Sequence, residues 1–157
     1  LRVFDEQGEQ VQAFRGHRGQ INALSWNRGP GRRWNVASAG ADGTVRLWQL
    51  SRHSGKSQSA SRTPSAVLAT GGTKIWSLAS VPDEPLIIAG TQSGEVLLWS
   101  TFESMPLASF HGHDEPVWSV SVGPVGNQLW SGGWDGNVRR WDVSRAQSIQ
   151  CADRSRN

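Results

Sequence analysis

The feature that most constrains this chain is that it repeats itself. Three stretches align without gaps: "SAGADGTVRLWQL" (38–50), "AGTQSGEVLLWSTF" (89–102) and "SGGWDGNVRRWDV" (131–143). Each has a turn ending in Gly, a run of alternating character, and then Trp. Asp42, Ser93 and Asp135 stand six residues before Trp48, Trp99 and Trp141. The Trp-to-Trp spacing is 51 and then 42, so the first period carries an insertion of about nine residues. A second shared element lies upstream. "GHRGQINALSW" (16–26) matches "GHDEPVWSVSV" (112–122), and "TGGTKIWSLAS" (70–80) follows both more weakly. A unit this short cannot bury its apolar face alone, so neighbouring units must stack into one continuous core.

The units are built of strands. Gly is frequent, and short apolar runs are broken by Gly, Asp, Asn and Pro. No stretch shows apolar residues at helical spacing. The pattern predicts strands at 20–26, 34–39, 44–50 and 66–69 in unit one, and at 74–79, 86–90, 95–100 and 107–110 in unit two. Unit three gives 116–122, 128–132 and 137–143, with an outer strand near 148–151. Asp42-Gly43 and Asp135-Gly136 suit two-residue hairpin turns, where Gly accepts positive φ. Ser93-Gly94 keeps the Gly and loses the carboxylate.

Together these motifs resemble the WD-repeat β-propeller family. Gly16-His17 and Gly112-His113 open their units, and Trp141-Asp142 closes the last; the others end in Trp48-Gln49 and Trp99-Ser100. "LRVFD" (1–5) is similar to the same closing strand, with Phe4 in place of Trp. The resemblance implies an all-β fold, a β-propeller arc of four-stranded antiparallel blades in an incomplete ring. Residues 1–15 are then the last two strands of a preceding blade. The first repeat is 16–69, the degenerate second 70–110 and the third 111–151, followed by a tail at 152–157. A ring needs about four to eight blades. The resemblance suggests about seven, the others lying upstream, downstream or on another subunit. The chain does not begin with Met, and it is read here as cut from a longer one. The insertion 51–65, "SRHSGKSQSASRTPS", is rich in Ser, basic and without acids, which predicts a flexible surface loop. Phosphorylation beside its Arg residues would make it a controllable tether.

The resemblance also assigns a bracing network: His17, Ser38, Asp42 and Trp48 in unit one, and His113, Ser131, Asp135 and Trp141 in unit three. A buried carboxylate needs partners, and imidazole and indole supply N–H donors. In unit two, Gly71, Ala89 and Ser93 occupy the corresponding places and only Trp99 remains, which predicts a blade held by apolar packing alone.

That network accounts for "HGHDEP" (111–116), which otherwise reads as an incipient metal site. His113 braces a turn, while His111 and Asp114 are loop residues. Beyond them the chain has only His17 and His53 to complete a ligand set. Ser, His and Asp are all present, yet no nucleophile elbow and no phosphate-binding Gly-rich loop appears. No catalytic residue, metal or cofactor is implied. The single cysteine, Cys151, excludes a disulfide framework within the chain. No run approaches a membrane span.

By the same resemblance, partners bind the rim formed by loops entering the inner strands. The positions are Gln20, Asn22 and Ala41; Lys74, Trp76 and Gln92; Pro116, Trp118 and Trp134. Strand alternation sets the flanking pairs opposite Ile21, Ile75 and Val117, which are expected to be buried. Trp26, Trp34 and Trp130 are expected to pack between blades. The function expected is a non-catalytic scaffold binding other proteins through Gln20, Asn22, Lys74, Trp76, Gln92, Trp118 and Trp134, in the cytoplasm or the nucleus. The alternative is an RNA or ribonucleoprotein binder using Arg32, Arg33, Arg139, Arg140 and stacked Trp, although the net charge of +3 is modest for that role.

Overall fold

The computed structural model describes residues 1–28, 34–50, 61–82, 84–123 and 126–143. The ordered elements among them are all strands: β1 (Arg2–Phe4), β2 (Gln10–Phe14), β3 (Ile21–Arg28), β4 (Trp34–Gly40), β5 (Thr44–Gln49), β6 (Ser61–Arg62), β7 (Ala66–Ala69), β8 (Ile75–Ser80), β9 (Leu86–Thr91), β10 (Glu95–Ser100), β11 (Ala108–His111), β12 (Val117–Val122), β13 (Gln128–Gly133) and β14 (Val138–Asp142). Sheet one runs β3-β4-β5-β7, sheet two β8-β9-β10-β11, and sheet three β12-β13-β14. All pairs within these sheets are antiparallel. The outer strand expected near 148–151 lies outside the described residues.

The leading strands β1 and β2 pair with each other, and β6 joins β2 in parallel. Of the insertion expected to be flexible, 51–60 lies outside the described residues. Its end is tied down by two contacts: Ala13 and Phe14 register with Ser61 and Arg62, and the Ser65 N–H donates to the Leu47 carbonyl.

Alternation within each strand sends side chains to both faces of its sheet. One face of sheet one packs on sheet two, gathering Ala37, Ala39, Val45, Leu47, Leu68, Ile75, Leu78, Ile87, Ala89, Leu97 and Trp99. The opposite face of sheet two meets sheet three through Leu86, Ile88, Val96, Leu98, Val117 and Leu129. The leading strands cover the outer part of sheet one with Phe14 on Trp48, ring centroids 5.1 Å apart. Polar bonds add to this stacking. Asn22 Nδ2 donates to the Ile75 carbonyl (2.8 Å) and Ser77 Oγ to the Val117 carbonyl (3.2 Å).

This stacking corrects two expectations. Ile75 and Val117 are fully buried, but Ile21 is 37% exposed. Each first inner-strand residue is covered by the inner half of the preceding sheet, and β1 and β2 supply only an outer half. Leu24 is exposed for the same reason, while Phe4 is exposed on the face of β1 opposite Val3, turned away from sheet one. Trp26 and Trp130 do not pack between sheets; they are 60% and 43% exposed. Trp26 points toward that same missing inner half, and Trp130 lies on the far face of sheet three. Trp34 lies in β4, at the edge of the described residues.

Candidate functional site

The polar chain of sheet one has a direction that follows from donor chemistry. A carboxylate only accepts, so His17 Nδ1, 3.0 Å from both Asp42 oxygens, carries the proton. In the neutral ring Nε2 then accepts from the Ser38 hydroxyl at 2.8 Å, and the indole N–H of Trp48 donates to Ser38 Oγ at 2.8 Å. Sheet three repeats the arrangement: His113 Nδ1 to Asp135 at 2.9 Å, Nε2 to Ser131 at 2.8 Å, and Trp141 to Ser131 at 2.8 Å.

Burial pushes the Asp42 carboxyl up. The Arg18 N–H, the Thr44 hydroxyl and His17 outweigh it and hold the group at about 2. Burial also raises Asp135, and the Asn137 N–H and His113 bring it down to about 2. Ser, His and Asp in this order resemble an acyl-transfer triad. However, Ser38 and Ser131 are buried (0% and 1% exposed), and their oxygens already accept an indole N–H, so no substrate carbonyl reaches them. His111 stands apart, with Nδ1 3.3 Å from Glu95, and Asp114 is exposed. Among the described residues no three His, Cys, Asp or Glu side chains converge on a metal position.

Sheet two lacks the chain, and its replacement differs from pure apolar packing. Trp99 is fully buried with no partner for its indole nitrogen. Its turn is held by a local polar set instead: Thr91 Oγ1 accepts from the Glu95 N–H (3.1 Å), and Ser93 Oγ donates to the Glu95 carboxylate (3.0 Å). Thr91 and Glu95 lie outside the positions that the family resemblance assigns to the brace.

The rim is assembled by one bond repeated in each sheet. Ala41 N–H donates to the Gln20 carbonyl, Gln92 N–H to that of Lys74, and Trp134 N–H to that of Pro116, at 2.8, 2.8 and 2.9 Å. This brings each turn beside its inner strand. The register also slips between Ile21 and Ala23, Ile75 and Ser77, and Val117 and Ser119. The intervening residues Asn22, Trp76 and Trp118 therefore sit on bulges, which re-aim side chains out of the ladder. Alternation alone did not reveal these bulges.

Three of the rim residues form one surface. The Trp76 and Trp118 rings lie 4.8 Å apart and tilted; Trp118 and Trp134 lie 5.4 Å apart, edge to face. Trp118 is 46% and Trp134 64% exposed, while Trp76 is half-buried and donates its N–H to Gln92 Oε1 at 2.7 Å. Lys74 and Gln20 are exposed beside their inner strands, Asn22 is committed to Ile75, and Pro116 is buried. The rings touch one another, so they present a ridge rather than a cage around a void.

Of the alternative basic set, Arg32 and Arg33 lie outside the described residues. Arg139 sits 3.7 Å from Asp135, and Arg140 is exposed on β14, away from the rim bond that positions Trp134.

Comparison with known proteins gives a family match. The profile of the family described as "WD domain, G-beta repeat" matches residues 8–49, 63–100 and 104–142. Transcription factor unc-37 of Caenorhabditis elegans is 28% identical over 110 residues, covering 70% of this chain and 16% of that protein. Protein groucho of Drosophila melanogaster is 30% identical over 96 residues, covering 60% and 13%. Periodic tryptophan protein 2 of Arabidopsis thaliana is 32% identical over 110 residues, covering 69% and 11%. The chain thus matches less than a fifth of the length of these relatives.

Proposed function

The chain belongs to the WD domain, G-beta repeat family, and from that premise we propose that it is a non-catalytic platform binding another protein through its loop-side rim. Proteins of this family generally serve as interaction scaffolds. The observation that carries the reading is the continuous Trp76–Trp118–Trp134 ridge. It is contributed by two sheets and left exposed, whereas Trp99 is taken up by the core and Trp141 by the brace of the same sheets.

Exposed aromatic clusters mark interaction surfaces, and Trp anchors dominate binding energy where they are covered. Gln92 holds Trp76 in place, so little side-chain entropy is lost on binding. Lys74 adds a cation at one end of the ridge. The name of the unc-37 relative, a transcription factor, supports the nucleus over the cytoplasm as the compartment. RNA binding is the weaker reading, because Arg139 is paired with Asp135.

The test uses the full-length protein and its co-purifying partner, measured by calorimetry. Trp118→Ala and Trp134→Ala should each weaken binding by about 2 kcal/mol or more while leaving the circular dichroism unchanged. Equal affinity in both variants and in Trp76→Ala would reject the ridge as the contact.

A further inference from the structure

The end of the insertion in sheet one is held at two points. Ser61 and Arg62 pair in parallel with Ala13 and Phe14, on the edge of β2 that β1 leaves open. Three residues on, the Ser65 N–H and hydroxyl both donate to the Leu47 carbonyl, at 2.8 and 3.0 Å. Thr63 and Pro64 span the gap. Thr63 is exposed, and among the described residues its hydroxyl makes no hydrogen bond. The next hydroxyls along the chain are committed: Ser65 to Leu47, and Thr70 Oγ1 to the Gly43 and Thr73 carbonyls at 2.9 and 2.6 Å. Pro64 has no N–H to extend the ladder, and it holds the residue before it extended. Thr63 is thus an open, extended position between two anchors.

The register carries Thr63 to a cation. Phe14 turns inward onto Trp48, so alternation turns Arg15 outward, where it is exposed. Arg62 pairs with Phe14, and one step further sets Thr63 opposite Arg15 on the same face. Among the described residues Arg15 has no ion pair. Asp5, Glu6 and Glu9 lie in the β1–β2 turn, at the other end of β2. Glu9 stands about 20 Å from Arg15 along the strand, beyond the roughly 8 Å over which a charge is felt in physiological salt.

We propose that Thr63 is a phosphorylation site and that its phosphate pairs with Arg15, fastening β6 to β2. In the transfer, Thr63 Oγ1 gives its proton to the kinase's base and bonds to the γ-phosphorus of a nucleoside triphosphate. The bond from that phosphorus to the oxygen bridging to the β-phosphate breaks, and nucleoside diphosphate leaves. The product carries nearly two negative charges and three acceptor oxygens, which suit the fork of a guanidinium. A parallel pairing only two residues long holds weakly, so one charge-assisted contact changes how often it opens. Closed, β6 covers the outer edge of β2. Open, that edge is an unpaired strand able to accept another.

The experiment treats the full-length protein with a Thr-Pro-directed protein kinase and ATP, and maps phosphate by mass spectrometry there and in protein isolated from its own cells. Phosphate is expected on Thr63 in both, with Ser65 and Thr70 unmodified in the folded protein. Amide hydrogen exchange at residues 61–63 should then slow about threefold or more. Arg15→Ala should remove that slowing while leaving the circular dichroism of the unmodified protein unchanged, and Arg15→Lys should keep part of it. Thr63 left bare in either preparation would overturn the site. Exchange that ignores the phosphate, or slows equally in Arg15→Ala, would overturn the pairing.

Discussion

Replacing Ser38 by alanine tests whether the directed chain from Asp42 to Trp48 holds sheet one. Ser38 is its middle link: the hydroxyl donates to His17 Nε2 and accepts from the Trp48 indole, each at 2.8 Å. Alanine removes both bonds at once. Trp48 is 1% exposed and the His17 side chain 4%, so neither orphaned group gains water. An orphaned buried polar group costs about 1–3 kcal/mol, which puts two of them near 2–5 kcal/mol after relaxation. Ser131→Ala removes the same two bonds in sheet three, but Trp141 is only half-buried and its N–H can reach solvent. Its loss should be smaller by about 1 kcal/mol. Urea unfolding followed by far-UV circular dichroism measures both, and protection of the Trp48 indole proton from solvent exchange reports the local opening. A Ser38→Ala loss below about 0.5 kcal/mol, or a larger loss in Ser131→Ala, would refute the reasoning.

Sheet two offers the reverse experiment: Ala89→Ser places a hydroxyl at the position of Ser38 and Ser131, within the surroundings of the unpartnered Trp99 nitrogen, and should stabilise by about 0.5–1.5 kcal/mol in the same urea assay. Gly94 and Gly136 both have positive φ, yet a Cβ on Gly94 would strike the His113 carbonyl of the next loop while one on Gly136 meets open space. Gly136→Ala should therefore cost only the backbone strain of about 1–2 kcal/mol, and Gly94→Ala clearly more, as read from the two unfolding midpoints. Asp42 and Asp135 are held at about 2 in the fold, below the ordinary 3.8. Their contribution is complete above the unfolded value and disappears as pH falls through the folded one, so stability should drop between pH 4 and 2; Asp42→Asn with Asp135→Asn should flatten that part of an acid titration.

The repeat carried most of the architecture into plain view. Trp48, Trp99 and Trp141 mark equivalent strands because an indole packed at one place in each sheet leaves little freedom in register. The two polar chains were legible through the family resemblance, and the recurrence of His, Ser, Asp and Trp at matching places in two units agreed with it. The resemblance also pointed to Trp76, Trp118 and Trp134 as rim positions.

The sequence by itself determined the strands and their order, because those depend on local alternation and on turns that repeat within each unit, while the polar side chains that brace them came from the family resemblance. Which indoles are covered was decided only by the tertiary structure, because burial depends on whether a neighbouring sheet is present. Trp26 and Trp130 look like core residues in the string, yet each faces a side where no sheet is stacked. The bulges that turn Trp76 and Trp118 outward, and the meeting of their rings with Trp134, arise from pairing between strands far apart in the chain.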